Sequence, residues 1–244
     1  MGRNGRGRTS LVWAALAAGV LVAVACASPS DDPAAPAGAS TESTPPPTPA
    51  GGPDAAGDEP PPCAENRHAV VVDMDGTLTA GAAELETWQA DPTYDPELRP
   101  GANDLMRTWR ALGYEVVYLT ERPADIVIGD TPIAGATQSW LERHEFPAGE
   151  RTHLFVWDTE AYPTVDEYKV QTLINLGLED LAVDYGYTDT RLDVIAYRTA
   201  GIAADQIFTV GEAAGEDGTV PVREPGWLAH QVTAVESLPP VCAE

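Results

Sequence analysis

The sequence predicts an α/β domain, a Rossmann-like three-layer sandwich around a mainly parallel sheet. Three observations carry that expectation. Short apolar, strand-like runs alternate with segments of helical periodicity, the pattern of successive βαβ units. The run Val70-Val71-Val72 is β-branched throughout, as in a strand buried on both faces. That run ends abruptly in Asp73 and Asp75, and in open α/β sheets the carboxyl ends of the strands are where ligands bind.

The elements follow in order. The first strand spans about His68 to Asp73. Pro100-Gly101 opens a helix with Leu105, Met106, Trp109 and Leu112 on one face, and Gly113 ends it. Glu115 to Thr120 is the second strand. Thr131-Pro132 reads as the next helix start, a hydroxyl cap followed by proline in the first turn, with Ile133, Ala136, Trp140 and Leu141 on the apolar face. His153 to Trp157 is a third strand. Thr164 to Glu167 reads as a capping box for a helix carrying Tyr168, Leu173 and Leu176. Leu181 to Tyr187 and Gln206 to Val210 are the fourth and fifth strands, with a helix over about 190–200 between them. The tail from Gly211 is rich in Gly, Glu and Pro and carries no readable pattern, and there are no internal repeats.

Around this domain the chain is uneven. Residues 1–25 combine Arg3, Arg6 and Arg8 with an apolar run from Leu11 to Ala25, the pattern of a secretory signal peptide. The run is shorter than the roughly 17–25 residues that span a bilayer. Ala23-Val24-Ala25-Cys26 resembles a bacterial lipoprotein box, with alanine where that pattern prefers leucine. Lipidation of Cys26 is the expectation, and plain cleavage or an uncleaved anchor the alternative. Residues 26–62 are dominated by Ala, Pro, Ser, Thr, Gly and Asp without an aromatic, so a disordered tether is expected there. Its root-mean-square span is about 35 Å. The folded domain is then residues 63–244.

Two cysteines remain, Cys63 and Cys242, at the two ends of that domain. In an exported protein they are expected to pair. The formal charge is −24 and becomes −27 once the three leader arginines are removed. Such acidity repels nucleic acid and anionic surfaces at long range, which makes nucleic acid a poor candidate partner, and none is expected. The four histidines, His68, His144, His153 and His230, show no metal spacing and read as surface or core residues.

Two carboxylates close together at a buried strand end repel unless a cation lies between them. The string Asp73-Met74-Asp75-Gly76-Thr77 resembles the first motif of the haloacid dehalogenase (HAD) superfamily, most of whose members are Mg²⁺-dependent phosphatases. Later motifs occur in the superfamily's order. Thr120 ends the second strand, Lys169 sits at a helix start, and Asp189 and Asp193 follow the fourth strand. Lys169 is also the single lysine among 14 basic residues, a compact point charge where a phosphate would need one. The superfamily usually has glycine where Thr188 stands. Asp184 competes with Asp189 as metal ligand but lies inside the strand, which favours Asp189.

The resemblance implies a division of labour. Asp73 is the nucleophile that forms an aspartyl-phosphate, and Asp75 is the proton shuttle. Thr77, Thr120, Lys169 and the loop amides near Met74 hold the phosphate. Mg²⁺ is bound by Asp73, Asp189 and the Asp75 carbonyl, with Asp193 reached through water.

Within the superfamily the likeness is to the lipin-type domain of phosphatidate phosphatases and membrane-associated phosphatidylinositol transfer proteins. It rests on Gly113-Tyr114, Thr120 to Pro123, Trp140-Leu141, Asp193-Val194, Ala196-Tyr197, Gly201-Ile202 and Ile207 to Val210, and covers about residues 69–211. Lipins have asparagine where Asp189 stands. Some transfer-protein domains lack the acid/base aspartate and only bind phosphatidate, whereas Asp75 is present here. Neither interval between motifs is long enough for a cap domain, so an open site for a large or lipidic phosphate ester is expected, with Trp88 and Tyr94 as rim candidates and core packing favoured for Trp88. The resulting expectation is an exported, lipid-anchored phosphomonoesterase of undetermined oligomeric state. A phospholipid-binding module without turnover and a phosphatase for soluble nucleotides or sugar phosphates are the alternatives.

Overall fold

The structure is a computed structural model that describes residues 62–242 apart from 64, 224 and 225. The leader of residues 1–25, Cys26 and the tether up to residue 61 lie outside them. In chain order the strands are β1 (His68–Val72), β2 (Glu115–Pro123), β3 (Val127–Ile128), β4 (Thr131–Pro132), β5 (Thr152–Trp157), β6 (Ala182–Thr188), β7 (Ile207–Thr209) and β8 (Val220–Pro221). The helices are α1 (Glu84–Ala90), α2 (Ala102–Ala111), α3 (Ile133–Arg143), α4 (Val165–Leu178), α5 (Arg191–Thr199) and α6 (Trp227–His230).

Six strands form one sheet in the order β5-β2-β1-β6-β7-β8, and every pairing in it is parallel. The period of two along β1 sends Val70 and Val72 to one face and Ala69 and Val71 to the other. Val70 and Val72 pack with Leu105, Met106 and Trp109 of α2 and with Ile133 and Trp140 of α3. Ala69 and Val71 pack with Tyr168 and Leu173 of α4 and Val194 and Tyr197 of α5. The three-layer sandwich is therefore the observed architecture. From β1 the chain builds outward through β2 to β5, then returns to lay β6 on the other side of β1. The strand order reverses there, and the crevice at such a switch point is the usual ligand site.

Several boundaries differ from the sequence reading. Thr131 does not cap α3: it pairs with Ile128 in the β3–β4 hairpin, and the helix begins after Pro132 without a side-chain cap. At α4 the expected cap does form, since Thr164 Oγ1 accepts from the Glu167 amide at 3.3 Å. Strand β2 runs past Thr120 to Pro123. The interval 79–100 holds α1, which buries Trp88, and no separate domain stands in either interval between motifs. The tail folds into short pieces, among them β8 on the sheet edge and a π-helical turn at Gln231–Val235. Cys63 and Cys242 form the expected disulfide. Among the described residues no helix is long and apolar enough to cross a membrane.

Candidate active site

Asp73 is the first residue beyond β1, and its amide donates to the Tyr187 carbonyl of β6 at 3.0 Å. Its carboxylate is thereby aimed into the crevice between the two central strands. The chain then turns sharply. The amides of Thr77, Leu78 and Thr79 all approach the Met74 carbonyl, and Gly76 takes a left-handed φ of 83°. Arg99 fixes the outside of this loop through the carbonyls of Thr77 and Gly76.

Lys169, in the second turn of α4, is fully buried and bridges two carboxylates. Its Nζ lies 2.9 Å from Asp73 Oδ1 and 2.6 Å from Asp193 Oδ1. Asp193 is held further by Thr188 Oγ1, which donates to Oδ2 at 2.8 Å. Its amide donates to Thr190, the cap of α5. The threonine found in place of the superfamily's glycine thus orients an acid. Thr77 Oγ1 lies 3.3 Å from Asp73 Oδ2 and 3.1 Å from Asp189 Oδ1, and its one proton serves either acceptor.

Asp75 turns the other way, toward β2. Arg122 Nε donates to Asp75 Oδ2 and Nη2 to Oδ1, both at 2.7 Å, a bidentate fork. The Arg122 Nη1 donates to Thr137 Oγ1 of α3 at 2.9 Å, and the guanidinium carbon lies 5.7 Å from the centre of the Trp88 ring. Thr120, fully buried, has its hydroxyl at 3.5 Å from Asp75 Oδ2, while accepting from the Arg122 amide at 3.3 Å. The sequence reading assigned Arg122 no role. The signal available was a charged side chain two residues beyond a buried hydroxyl on an apolar strand.

Every predicted member of the site is thus at the carboxyl ends of β1, β2 and β6 or on the helices beside them. Asp184 is not: it meets His68 Nδ1 at 2.5 Å, at the opposite end of β1. Trp88 is buried behind Arg122 and, with Tyr94 and Arg143, also lines a cleft of about 530 Å³ that none of the motif acids borders. A separate cleft of about 500 Å³, lined by Asp189, Thr190, Arg191, Glu212 and Glu216, borders one of the motif acids, Asp189.

Electrostatics set the chemistry. Burial raises the Asp73 carboxyl well above the usual range, and Asp193 and Asp75 add to this while Lys169 opposes it. Asp189 is raised chiefly by burial too, with the Thr77 hydrogen bond opposing. For Lys169 burial works toward the neutral form, but Asp73 and Asp193 outweigh it and the ammonium is held above its ordinary value. Four carboxylates, Asp73, Asp75, Asp189 and Asp193, therefore face two cations, Lys169 and Arg122. An excess of negative charge and an all-oxygen donor set suit a hard divalent cation. Among the described residues no three acidic, histidine or cysteine side chains make a ready cage. A shell here would draw on Asp73, Asp189, the Asp75 carbonyl and water, as Mg²⁺ tolerates.

Known proteins extend this picture. The fold resembles that of a Mesorhizobium loti protein described as a HAD-like phosphatase, with a TM-score of 0.52 and 24% identity over 77% of this chain and 92% of that one. Membrane-associated phosphatidylinositol transfer protein 3 of Mus musculus is 32% identical over 59% of this chain and 13% of its own length. Protein retinal degeneration B of Drosophila melanogaster is 30% identical over 66% of this chain and 11% of its own. The chain thus spans only about an eighth of the curated relatives it matches. The family described as PITM 1-3, LNS2 domain matches residues 70–211, a segment that runs from β1 past β7 and contains Asp73, Asp75, Thr77, Thr120, Lys169, Asp189 and Asp193. That match covers more than half of the chain, and the protein belongs to the LNS2 domain family.

Proposed function

We propose that this domain is a Mg²⁺-dependent phosphomonoester hydrolase that acts through an aspartyl-phosphate. The observation that carries the reading is the Asp73–Lys169–Asp193 bridge at the switch point of the sheet, with Asp75 beside it on a separate cation. Asp73 Oδ2 faces away from Lys169 toward Thr77 and is the atom free to attack phosphorus. Attack forms the O–P bond as the ester O–P bond breaks, and the proton taken up by the leaving oxygen comes from Asp75. Water then displaces Asp73 from phosphorus and gives its proton to Asp75. Lys169, Thr77 and Thr120 hold the phosphoryl oxygens as charge spreads over them. Asp73, Asp189 and the Asp75 carbonyl would hold Mg²⁺, which would supply positive charge against the repulsion between the nucleophile and a phosphate dianion.

Family membership and the capless fold support a large or lipidic ester of the phosphatidate type. The chain's basic and apolar start supports export, with Cys26 as a lipid anchor holding the domain near a membrane. The test is a panel of phosphate esters, aryl, nucleotide, sugar and detergent-dispersed phosphatidate, assayed with Mg²⁺ and after chelation. Turnover that is lost in Asp73→Asn is expected. Wild-type protein that turns over no ester with any divalent metal would sink the reading.

A second reading, lipid binding without turnover, is favoured by one observation: the relatives are named as transfer proteins. Retention on phosphatidate vesicles with no phosphate release would select it.

A further inference from the structure

Asp75 has both carboxylate oxygens engaged by one side chain, and that side chain is itself immobilised from two directions. Arg122 is fully buried. Its Nε and Nη2 occupy one lone pair on each Asp75 oxygen. Its third nitrogen is tied to Thr137 on α3, and its guanidinium carbon lies over the Trp88 ring of α1, 5.7 Å from the centroid. Thr137 and Trp88 are supplied by segments that lie between the motifs rather than in them. Two parallel hydrogen bonds fix both the distance and the plane of a carboxylate, which one bond does not.

Resting on the phosphatase reading, we infer that Arg122 is a positioning residue that fixes the Asp75 carboxylate for the second displacement. In that step the water oxygen bonds to phosphorus, the bond from phosphorus to Asp73 breaks, and the water proton passes to the lone pair that Arg122 leaves free on Asp75 Oδ1, the Thr120 hydroxyl lying against Oδ2. Thr137 and Trp88 act one contact further out, by holding the guanidinium.

A fork that serves the second step more than the first has a distinctive kinetic mark. With a good leaving group such as p-nitrophenolate, formation of the aspartyl-phosphate needs little proton transfer, and its hydrolysis still needs a placed base. For Arg122→Gln on p-nitrophenyl phosphate in Mg²⁺, kcat is expected to fall about 100-fold. KM should fall with it, so that kcat/KM stays within about 3-fold. A pre-steady-state burst of nitrophenolate approaching one equivalent of enzyme should accompany this. Guanidinium at low millimolar concentration should restore kcat. Thr137→Val, which deletes only the outer hydrogen bond, should move kcat and KM down together by about 3–10-fold. It decides the matter if Arg122→Gln does not fold.

Equal losses in kcat and kcat/KM without a burst, or no loss at all, would overturn the inference while leaving the phosphatase reading intact. Wild-type protein with no turnover would overturn both.

Discussion

A Cβ placed on Gly76 would meet Asp189 Oδ2 at 2.1 Å, so the glycine of the first motif and the acid that follows β6 are packed directly against each other. The backbone at Gly76 is also left-handed, at φ 83°, where a side chain is strained whatever the space. Gly76→Ala therefore pushes Asp189 aside while leaving every proposed catalytic group in the sequence. Displacements of that size cost about 100-fold in rate, and the strain should lower stability by about 1–3 kcal/mol. Steady-state kinetics and urea denaturation of the variant check both. Wild-type kcat/KM would show that Asp189 need not stay where it is.

Lys169 stands between Asp73 and Asp193 and, among the described residues, is the cation paired with both. Removing one member of such a buried set leaves charge uncompensated, and Lys169→Met should cost about 3–5 kcal/mol in stability as well as all turnover. The two effects separate in a double-mutant cycle. Asp73→Asn in the Lys169→Met background removes one of the orphaned carboxylates, so the double variant should be more stable than Lys169→Met alone, with a coupling of about 1–3 kcal/mol. Strictly additive losses in urea midpoint would mean that the bridge contributes no specific pairing.

The contrast between what could and could not be read in the chain lies in how far apart the interacting residues are. Val70 to Val72 announced a buried strand because composition alone distinguishes it, and the two-face packing of β1 follows from period two. The Thr164 cap was legible because its partner is three residues away. Thr131 had the same local grammar, yet tertiary pairing with Ile128 removed it from capping. Asp73, Thr120 and Lys169 were found through motif order. Arg122 was missed because its partners, Asp75 and Thr137, are 47 and 15 positions away and nothing local couples them. The pieces after Gly211 are three to five residues long for the most part, too short for periodicity to mark.

His230 gives the fold an acid limit. It is buried beside Phe208 and Trp227, and its Nε2 lies 2.9 Å from the Tyr187 hydroxyl, which in turn accepts from Trp109 Nε1 at 3.1 Å. Tyr187 and His230 are thus hydrogen-bonded to each other in a buried aromatic setting that disfavours the charged imidazole. Burial pushes His230 down to about 4 from 6.5. Between these two values the unfolded chain binds the extra proton and the folded one does not, so stability falls as pH falls through that window. The loss by pH 4 is at most about 3 kcal/mol. His230→Gln removes the titrating group, and its urea midpoint should decline less than that of the wild type between pH 7 and pH 4. Parallel declines would place the acid limit elsewhere.

The disulfide should bear on stability and leave the chemistry alone. Cys63 and Cys242 are 179 positions apart and join the two ends of the domain. Cys242 packs so closely on Gly113 that a Cβ there would meet its Sγ at 2.7 Å. Gly113 lies two residues before β2, at the amino-terminal edge of the sheet, whereas Asp73, Thr120 and Asp189 belong to the carboxyl-terminal edge. Constraining so long a loop in the unfolded chain is worth up to about 4–5 kcal/mol, less whatever strain the bond imposes. Reduction, or a Cys63→Ala/Cys242→Ala pair, should therefore lower the melting temperature by several degrees while kcat/KM at 25 °C holds within about 2-fold. Activity lost in step with the disulfide, under conditions where circular dichroism shows the fold intact, would mean that the two edges of the sheet are coupled and that this separation of stability from catalysis is wrong.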